Sequence, residues 1–313
     1  MREAMNNQPS IHQSVLLKET IEGLNLPRQP IVIDCTFGGG GHSLMICKNY
    51  PGAKLIALDQ DRSVFELAKE KFENENCNLA FFNANFRDLN SLNFPNNSVD
   101  GIIFDLGLSS DQLEHSGRGF SFIRNEPLLM TMKALPVDSW PRENPSPEDL
   151  TAQEIVNTWE EKNLADIIYG YGEEKFARRI AKAIIIAREK KEIRTTEDLV
   201  KIIESAVPGV YKRARIHFAT RTFQALRIAV NDELRALEEG LEAGFEKLKL
   251  GSGRMAVIAF HSLEDRIVKN FFRKLKAEDR AELINKKPIM AGEEEIKNNP
   301  RELSAKLRIL QKK

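Results

Sequence analysis

Val32 to Ser43 reads VIDCTFGGGGHS. A β-branched run ends on a carboxylate, and four consecutive glycines then lead into a helix-like stretch, Leu44 to Asn49. Glycine adopts backbone conformations closed to other residues and lets a ligand approach the main chain closely. The spacing is not the usual G-x-G-x-x-G frame of dinucleotide folds, although a run of glycines accommodates several registers. No Lys-Ser or Lys-Thr pair follows, which excludes a Walker phosphate loop. The plainer alternative is a flexible turn between strand and helix, and the neighbouring sequence weighs against it.

Ile31–Ile33 ends at Asp34, Lys54–Leu58 ends at Asp59, and Val99–Phe104 ends at Asp105. Leu79–Phe82 reads as another strand, and Ser63–Glu73 has helical periodicity. Strands alternating with helices predict an α/β fold whose mostly parallel sheet is covered on both faces. Three carboxylates at strand carboxyl ends mark the edge where such sheets bind ligands, and one at the end of the second strand can accept both ribose hydroxyls of a nucleoside. Their charge opposes a pyrophosphate. It suits a cationic ligand such as a sulfonium with an amino-acid tail. This favours S-adenosylmethionine over NAD, with a nicotinamide dehydrogenase as the rival.

The alternation breaks after Glu114. Residues 114–144 are loop-like, and Ser146–Val207 is helical, with Thr195 or Thr196 able to cap a helix whose first turn holds Glu197 and Asp198. A long helix is predicted over Ala219–Leu248 with a break near Gly240. Then come a strand at Met255–Phe260 and a helix at Leu263–Leu275. A polar, mobile connection is expected over Lys276–Pro300, and a closing edge strand at Leu307–Leu310. The implied organisation is a discontinuous catalytic domain, 1–114 and 213–313, with a mainly helical domain inserted at 115–212.

Hydrophobic residues make up 42% and charged residues 29% of the 313, which excludes a wholly disordered chain. Lys+Arg and Asp+Glu each number 46, so binding of nucleic acid must rest on a local patch rather than on bulk charge. Three cysteines, Cys35, Cys47 and Cys77, without a CxxC pair suit a reducing compartment and argue against a disulfide framework or a structural zinc. No metal is expected. With no signal-like amino terminus and no apolar run of membrane-spanning length, a cytoplasmic protein is expected. Its oligomeric state, monomer or homodimer, is left open.

Methylating an exocyclic amine requires its lone pair to face the methyl donor and its proton to leave. A carboxylate helped by a hydroxyl can do both. Asp105, Ser109 and Ser110 are candidates, against the alternative of a capped turn with solvated serines. His261 could shuttle a proton, or Ser262 and Asp265 could simply form a capping box. His42, at the start of a helix, could touch a cofactor or act as a cap. Lys212, Arg213, Arg215, Arg221 and Arg227 lie in an acid-free run with Tyr211, His217, Phe218 and Phe223 between them. That pattern suits phosphates and stacked bases, against a solvated helix face with Phe218 and Phe223 in the core. A second basic run, Tyr171–Arg194, reads more readily as a solvated face. Trp140 and Trp159 read as packing residues.

Longer stretches carry a family resemblance: HQSVLLKE at 12–19, DCTFGGGGHS at 34–43, ALDQD at 57–61 and DLGLSSDQL at 105–113. Further on stand RGFSF at 118–122, YGEEKFARRIAKAI at 171–184, ATRTFQALRIAVNDEL at 219–234, FHSLEDRIVK at 260–269 and NPRELSAKLRI at 299–309. The chain resembles the bacterial small-subunit ribosomal RNA cytosine-N4 methyltransferases. The resemblance implies a class I, Rossmann-like S-adenosylmethionine-dependent methyltransferase with a helical insertion that serves RNA recognition. It implies methylation of a cytidine N4 in the decoding region of 16S rRNA, in the small ribosomal subunit. Cofactor contacts then fall on Gly40, Gly41, His42, Asp59, Phe86, Asp105 and Gln112, to which the reading of the glycine turn adds Gly38. At 127–133 the chain reads PLLMTMK where the family usually has PLDMRMD, so Leu129, Thr131 and Lys133 replace Asp, Arg and Asp. That departure leaves a weakened catalyst, or an RNA-binding assembly factor, as the alternative.

Overall fold

The computed structural model describes residues 14–109, 112–113, 115–133 and 150–313. Chain order is α1 (Leu17–Leu24), β1 (Ile31–Asp34), α2 (Gly41–Asn49), β2 (Lys54–Asp59), α3 (Ser63–Phe72), β3 (Asn78–Asn83), a 3-10 turn (Phe86–Leu92) and β4 (Gly101–Asp105). Helices α4 (Ala152–Thr158), α5 (Glu161–Gly170), α6 (Ala177–Arg188), α7 (Thr196–Ala206), α8 (Gly209–Lys212), α9 (Thr220–Asn231) and α10 (Glu233–Lys247) follow. The chain ends with β5 (Arg254–Ala259), α11 (Ser262–Ala277), β6 (Ala281–Leu283), α12 (Glu293–Asn298) and β7 (Lys306–Lys312).

The sheet order is β3-β2-β1-β4-β5-β7-β6. Strands β1 to β5 pair in parallel, and β7 runs antiparallel to both β5 and β6. This is the class I S-adenosylmethionine-dependent methyltransferase fold. Strand order reverses between β1 and β4, where Asp34 lies opposite Ile103. A crevice opens at the carboxyl ends of the strands at such a switch point.

Buried β1 and β4 carry near-continuous apolar runs, as a sheet covered on both faces requires. On one face Phe104, fully buried, meets Phe86 edge-on at 5.5 Å between centroids. A Cβ on Gly240 would come within 2.6 Å of the Phe86 ring, so the glycine lets α10 lie close to the sheet. Phe104→Ala is expected to cost about 3–5 kcal/mol through the cavity it leaves, read as a lower denaturation midpoint at unchanged slope.

A second core binds the helical layer: Ile155, Leu164, Ile180, Leu199 and Ile203 pack with Phe218, Phe223 and Leu226. Phe218 and Phe223 are therefore core residues, and Trp159 packs at the margin, whereas Trp140 lies outside the described residues. Thr195 caps α7, accepting from the Asp198 N–H.

Four expectations need correction. The chain breaks its long helix at Asp232, in the left-handed region with φ 48°, and Gly240 stays helical. Residues 276–300 contain β6 and α12, elements too short to leave a periodic signature. Strand β7 is consequently interior, and β6 forms the edge. Cys47 and Cys77 form a disulfide, and Cys35 is free and buried. Neither parity nor CxxC spacing reveals that the end of α2 lies beside the entry to β3. Among the described residues no helix is long and apolar enough to cross a membrane.

Candidate active site

The glycine turn is built by left-handed residues. Gly38 and Gly40 have φ of 48° and 74°. The Gly38 N–H donates to Asp59 Oδ2 at 2.8 Å, and the Asp61 N–H donates to Asp59 Oδ1 at 2.9 Å. Asp59 thus ties the turn after β1 to the end of β2 while its carboxylate lines the cleft. Burial pushes its pKa up to about 6 against those two hydrogen bonds, with neighbouring Asp61 and Asp34 adding to the rise. Gly38, Gly39 and Gly41 line the cleft, whereas Gly40 shapes the turn from behind, against Phe37 and Phe72.

Asp34 does not join the crevice, contrary to the reading of three carboxylates on one rim. It is buried beneath the turn, accepting from Ser43 Oγ at 2.7 Å and from the Thr36 N–H at 3.3 Å. Burial outweighs these bonds and lifts its pKa to about 6.

Asp105 closes the other side of the switch point. Its N–H donates to Thr36 Oγ1 at 2.6 Å, which locks β4 to the start of the glycine turn. One carboxylate oxygen stands 3.6 Å from His42 Nδ1. The other, Oδ1, is buried in the cleft wall with no hydrogen-bond partner among the described residues. Burial first, then the charges of Asp34, Glu264 and Glu302, hold this carboxyl well above the usual carboxylate range. An unsatisfied buried acceptor is costly unless a ligand donates to it.

The remaining candidates divide. Gln112 and Ser109 cap one another: the Ser109 N–H donates to Gln112 Oε1 and the Gln112 N–H donates to Ser109 Oγ, each at 3.1 Å. Both line the cleft, and the Ser109 hydroxyl oxygen accepts from the turn. Ser110 lies outside the described residues. His261 caps α11, and the capping box pairs it with Glu264, one residue earlier than the Ser262–Asp265 frame. Glu264, not His261, lines the cleft.

Sequence reasoning missed the far wall, formed by Asn231, Glu233, Glu264 and Met132. The break at Asp232 aims Glu233 inward, where both its oxygens accept from Arg227 at 2.8 Å. Burial raises the Glu233 pKa despite this partner. Burial alone would also raise Glu264, but the hydrogen bond and charge of His261, with Arg227 and the Phe260 N–H, hold it low. Glu233, His261 and Glu264 place ligand-type atoms within 4.8 Å of one another. Because Arg227 already occupies both Glu233 oxygens, we read the cluster as an ion-pair network rather than a metal centre.

A sequence model described as the MraW methylase family matches residues 9–313. The chain belongs to that family. It is 43% identical over 300 residues to the ribosomal RNA small subunit methyltransferase H of Persephonella marina, covering 95% of this chain and 98% of that one. It is 44% identical over 304 residues to the enzyme of the same name from Acaryochloris marina, covering 96% and 94%. A Sulfurihydrogenibium relative of that name is 44% identical over 300 residues, covering 95% and 98%.

In this MraW-family chain the acid-free basic run is split. Lys212, Arg213 and Arg215 are exposed, and Lys212 reaches Glu204 at 3.3 Å. Arg221 is partly exposed and donates to the Glu173 carbonyl at 3.1 Å. Arg227 turns inward to Glu233 and does not share their surface. The exposed His217 ring stacks on Phe122 at 4.5 Å between centroids. In the departing loop Leu129 and Thr131 are buried and Lys133 is exposed.

Proposed function

We propose that this chain transfers a methyl group from S-adenosylmethionine to the exocyclic N4 of a cytidine in the decoding region of 16S rRNA, within the small ribosomal subunit. The observation that carries the reading is Asp105, a strand-end carboxylate in the wall of the same cleft as the glycine turn and Asp59, with one buried oxygen, Oδ1, that has no hydrogen-bond partner among the described residues. Support comes from the family and from relatives named as small-subunit ribosomal RNA methyltransferases.

The residues fit the cofactor. S-adenosylmethionine, when bound, supplies an electrophilic methyl on a sulfonium. Asp59 would accept the ribose hydroxyls, Phe86 would flank the adenine, and Gln112 would stand at the methionine end. The acidic lining from Asp59, Asp105, Glu233 and Glu264 favours a cationic ligand over a pyrophosphate, which argues against NAD. Asp105 would accept one N–H of the target amine, aim its lone pair and receive its proton. The cytidine must leave its stack to reach this depth. Lys212, Arg213, Arg215 and Arg221, with the His217–Phe122 stack, would hold the RNA backbone and an unpaired base.

Affinity for S-adenosylhomocysteine is expected to depend on pH. Ribose hydroxyls bind the ionised form of Asp59 and lower its pKa, so affinity plateaus above the free value of about 6 and falls as pH drops through it. Calorimetric titration between pH 5 and pH 8 checks this, and Asp59→Asn should flatten the curve.

Purified small subunits incubated with the chain and methyl-labelled S-adenosylmethionine should acquire label in RNA. The second reading, a non-catalytic RNA-binding assembly factor, draws on the PLLMTMK departure. It predicts RNA binding without label at any cofactor concentration.

A further inference from the structure

We propose that Arg118 is a positioning residue that couples the sugar-binding end of the cleft to the loop forming its far wall. The proposal rests on the reading of the cleft as an S-adenosylmethionine site. Arg118 and Asp61 are both buried, 7% and 1% exposed, and Arg118 Nη2 donates to Asp61 Oδ2 at 2.5 Å. Asp61 is the residue whose N–H holds Asp59 Oδ1, the carboxylate assigned to the ribose. From its other nitrogen, Nη1, Arg118 reaches the carbonyls of Thr131, Met132 and Lys133 at 3.1, 3.0 and 3.2 Å. One guanidinium therefore bridges the strand end that grips the sugar and the loop that carries Met132 into the cleft.

A second side chain holds the same loop. Asn231 accepts from the Met132 N–H at 2.8 Å and donates to the Met130 carbonyl at 2.8 Å. The Met130 N–H donates to the Arg118 carbonyl at 2.7 Å. All these bonds go to main-chain atoms of the loop. The clamp therefore does not draw on the side chains at 129, 131 and 133, where the chain departs from the family pattern. The planar guanidinium is suited to this bridging, and a lysine has no equivalent fork. Without Arg118, a buried carboxylate and three carbonyls lose a charged donor, and Asp61 no longer holds Asp59 against a fixed wall.

The test is calorimetric titration of the full chain with S-adenosylhomocysteine, with a melting curve for each variant. Arg118→Gln is expected to raise Kd about tenfold, in the range of ordinary coupling between sites, with the number of sites per folded molecule unchanged. Arg118→Lys should recover part of the loss. Lys133→Ala, which keeps the carbonyl, should match the wild type. Asp61→Asn combined with Arg118→Gln should be no worse than the worse single variant. Folded Arg118→Gln with Kd within about twofold of wild type, or with fewer sites at unchanged Kd, would overturn the coupling. If Arg118→Gln does not fold, an unchanged Kd in Arg118→Lys overturns it equally. A wild-type chain that binds no S-adenosylhomocysteine would overturn the reading of the cleft, and this proposal with it.

Discussion

Asp105→Asn is expected to lower methyl transfer by about 10²–10⁴-fold, the usual worth of a positioned general base, with a much smaller loss of S-adenosylhomocysteine affinity. Asparagine keeps the size of the side chain and one acceptor. It cannot take a proton, and its amide N–H₂ would face the donor it is meant to receive. The split is therefore in kcat rather than in cofactor binding. The pH profile gives an independent check. Burial and the charges of Asp34, Glu264 and Glu302 raise the Asp105 pKa, so the carboxyl keeps its proton to higher pH than an ordinary aspartate. Transfer should rise with pH as the ionised form appears, and the asparagine variant should lose that limb. The same shift makes folding stability contributed at this site fall as pH rises through the folded-state pKa. Wild-type turnover in the asparagine variant would remove Asp105 from the mechanism.

Asp59→Ala is expected to weaken S-adenosylhomocysteine binding by about 10²-fold or more, because hydrogen bonds to a charged acceptor are worth about 1.5–3 kcal/mol each. Two ribose contacts are at stake. The substitution also strips the acceptor from the Gly38 and Asp61 N–H groups, so the glycine turn loses its tie to β2. Asp59→Asn keeps one carbonyl acceptor and should fall between. Calorimetry reads both, and an alanine variant within about threefold of wild type would contradict the assignment of the ribose to this carboxylate.

These two carboxylates were the legible part of the site. A glycine run after an apolar strand, with acids at the ends of the next strands, follows from how parallel sheets use their carboxyl edge. Asp34 shows the limit of that argument. It also ends a strand, yet in the sheet register it stands beside Ala57 and Ile103, two residues short of Asp59 and Asp105, so its side chain lies beneath the turn against Ser43. Glu233 and Glu264 were illegible for another reason. Glu233 enters the cleft only because Asp232 adopts a left-handed conformation, an uncommon choice for a non-glycine residue. Gly240 looked the better break, but its missing Cβ serves packing against Phe86. Glu264 reads locally as an ordinary acid in a first helical turn, and only the fold brings the charge of Arg227, distant in sequence, close enough to help hold it ionised beside its capping partner His261. Arg118 stands in the RGFSF stretch, but its partners are 57 residues back and 13 to 15 residues ahead, so nothing local announces the clamp.

The most direct measurement is mass mapping of 16S rRNA from small subunits treated with the chain and S-adenosylmethionine. The account predicts one added methyl on a cytidine, with fragment masses placing it on N4, absent when Asp105 is asparagine. A methyl on ring carbon or ribose, or an unmodified cytidine after complete reaction conditions, would contradict it.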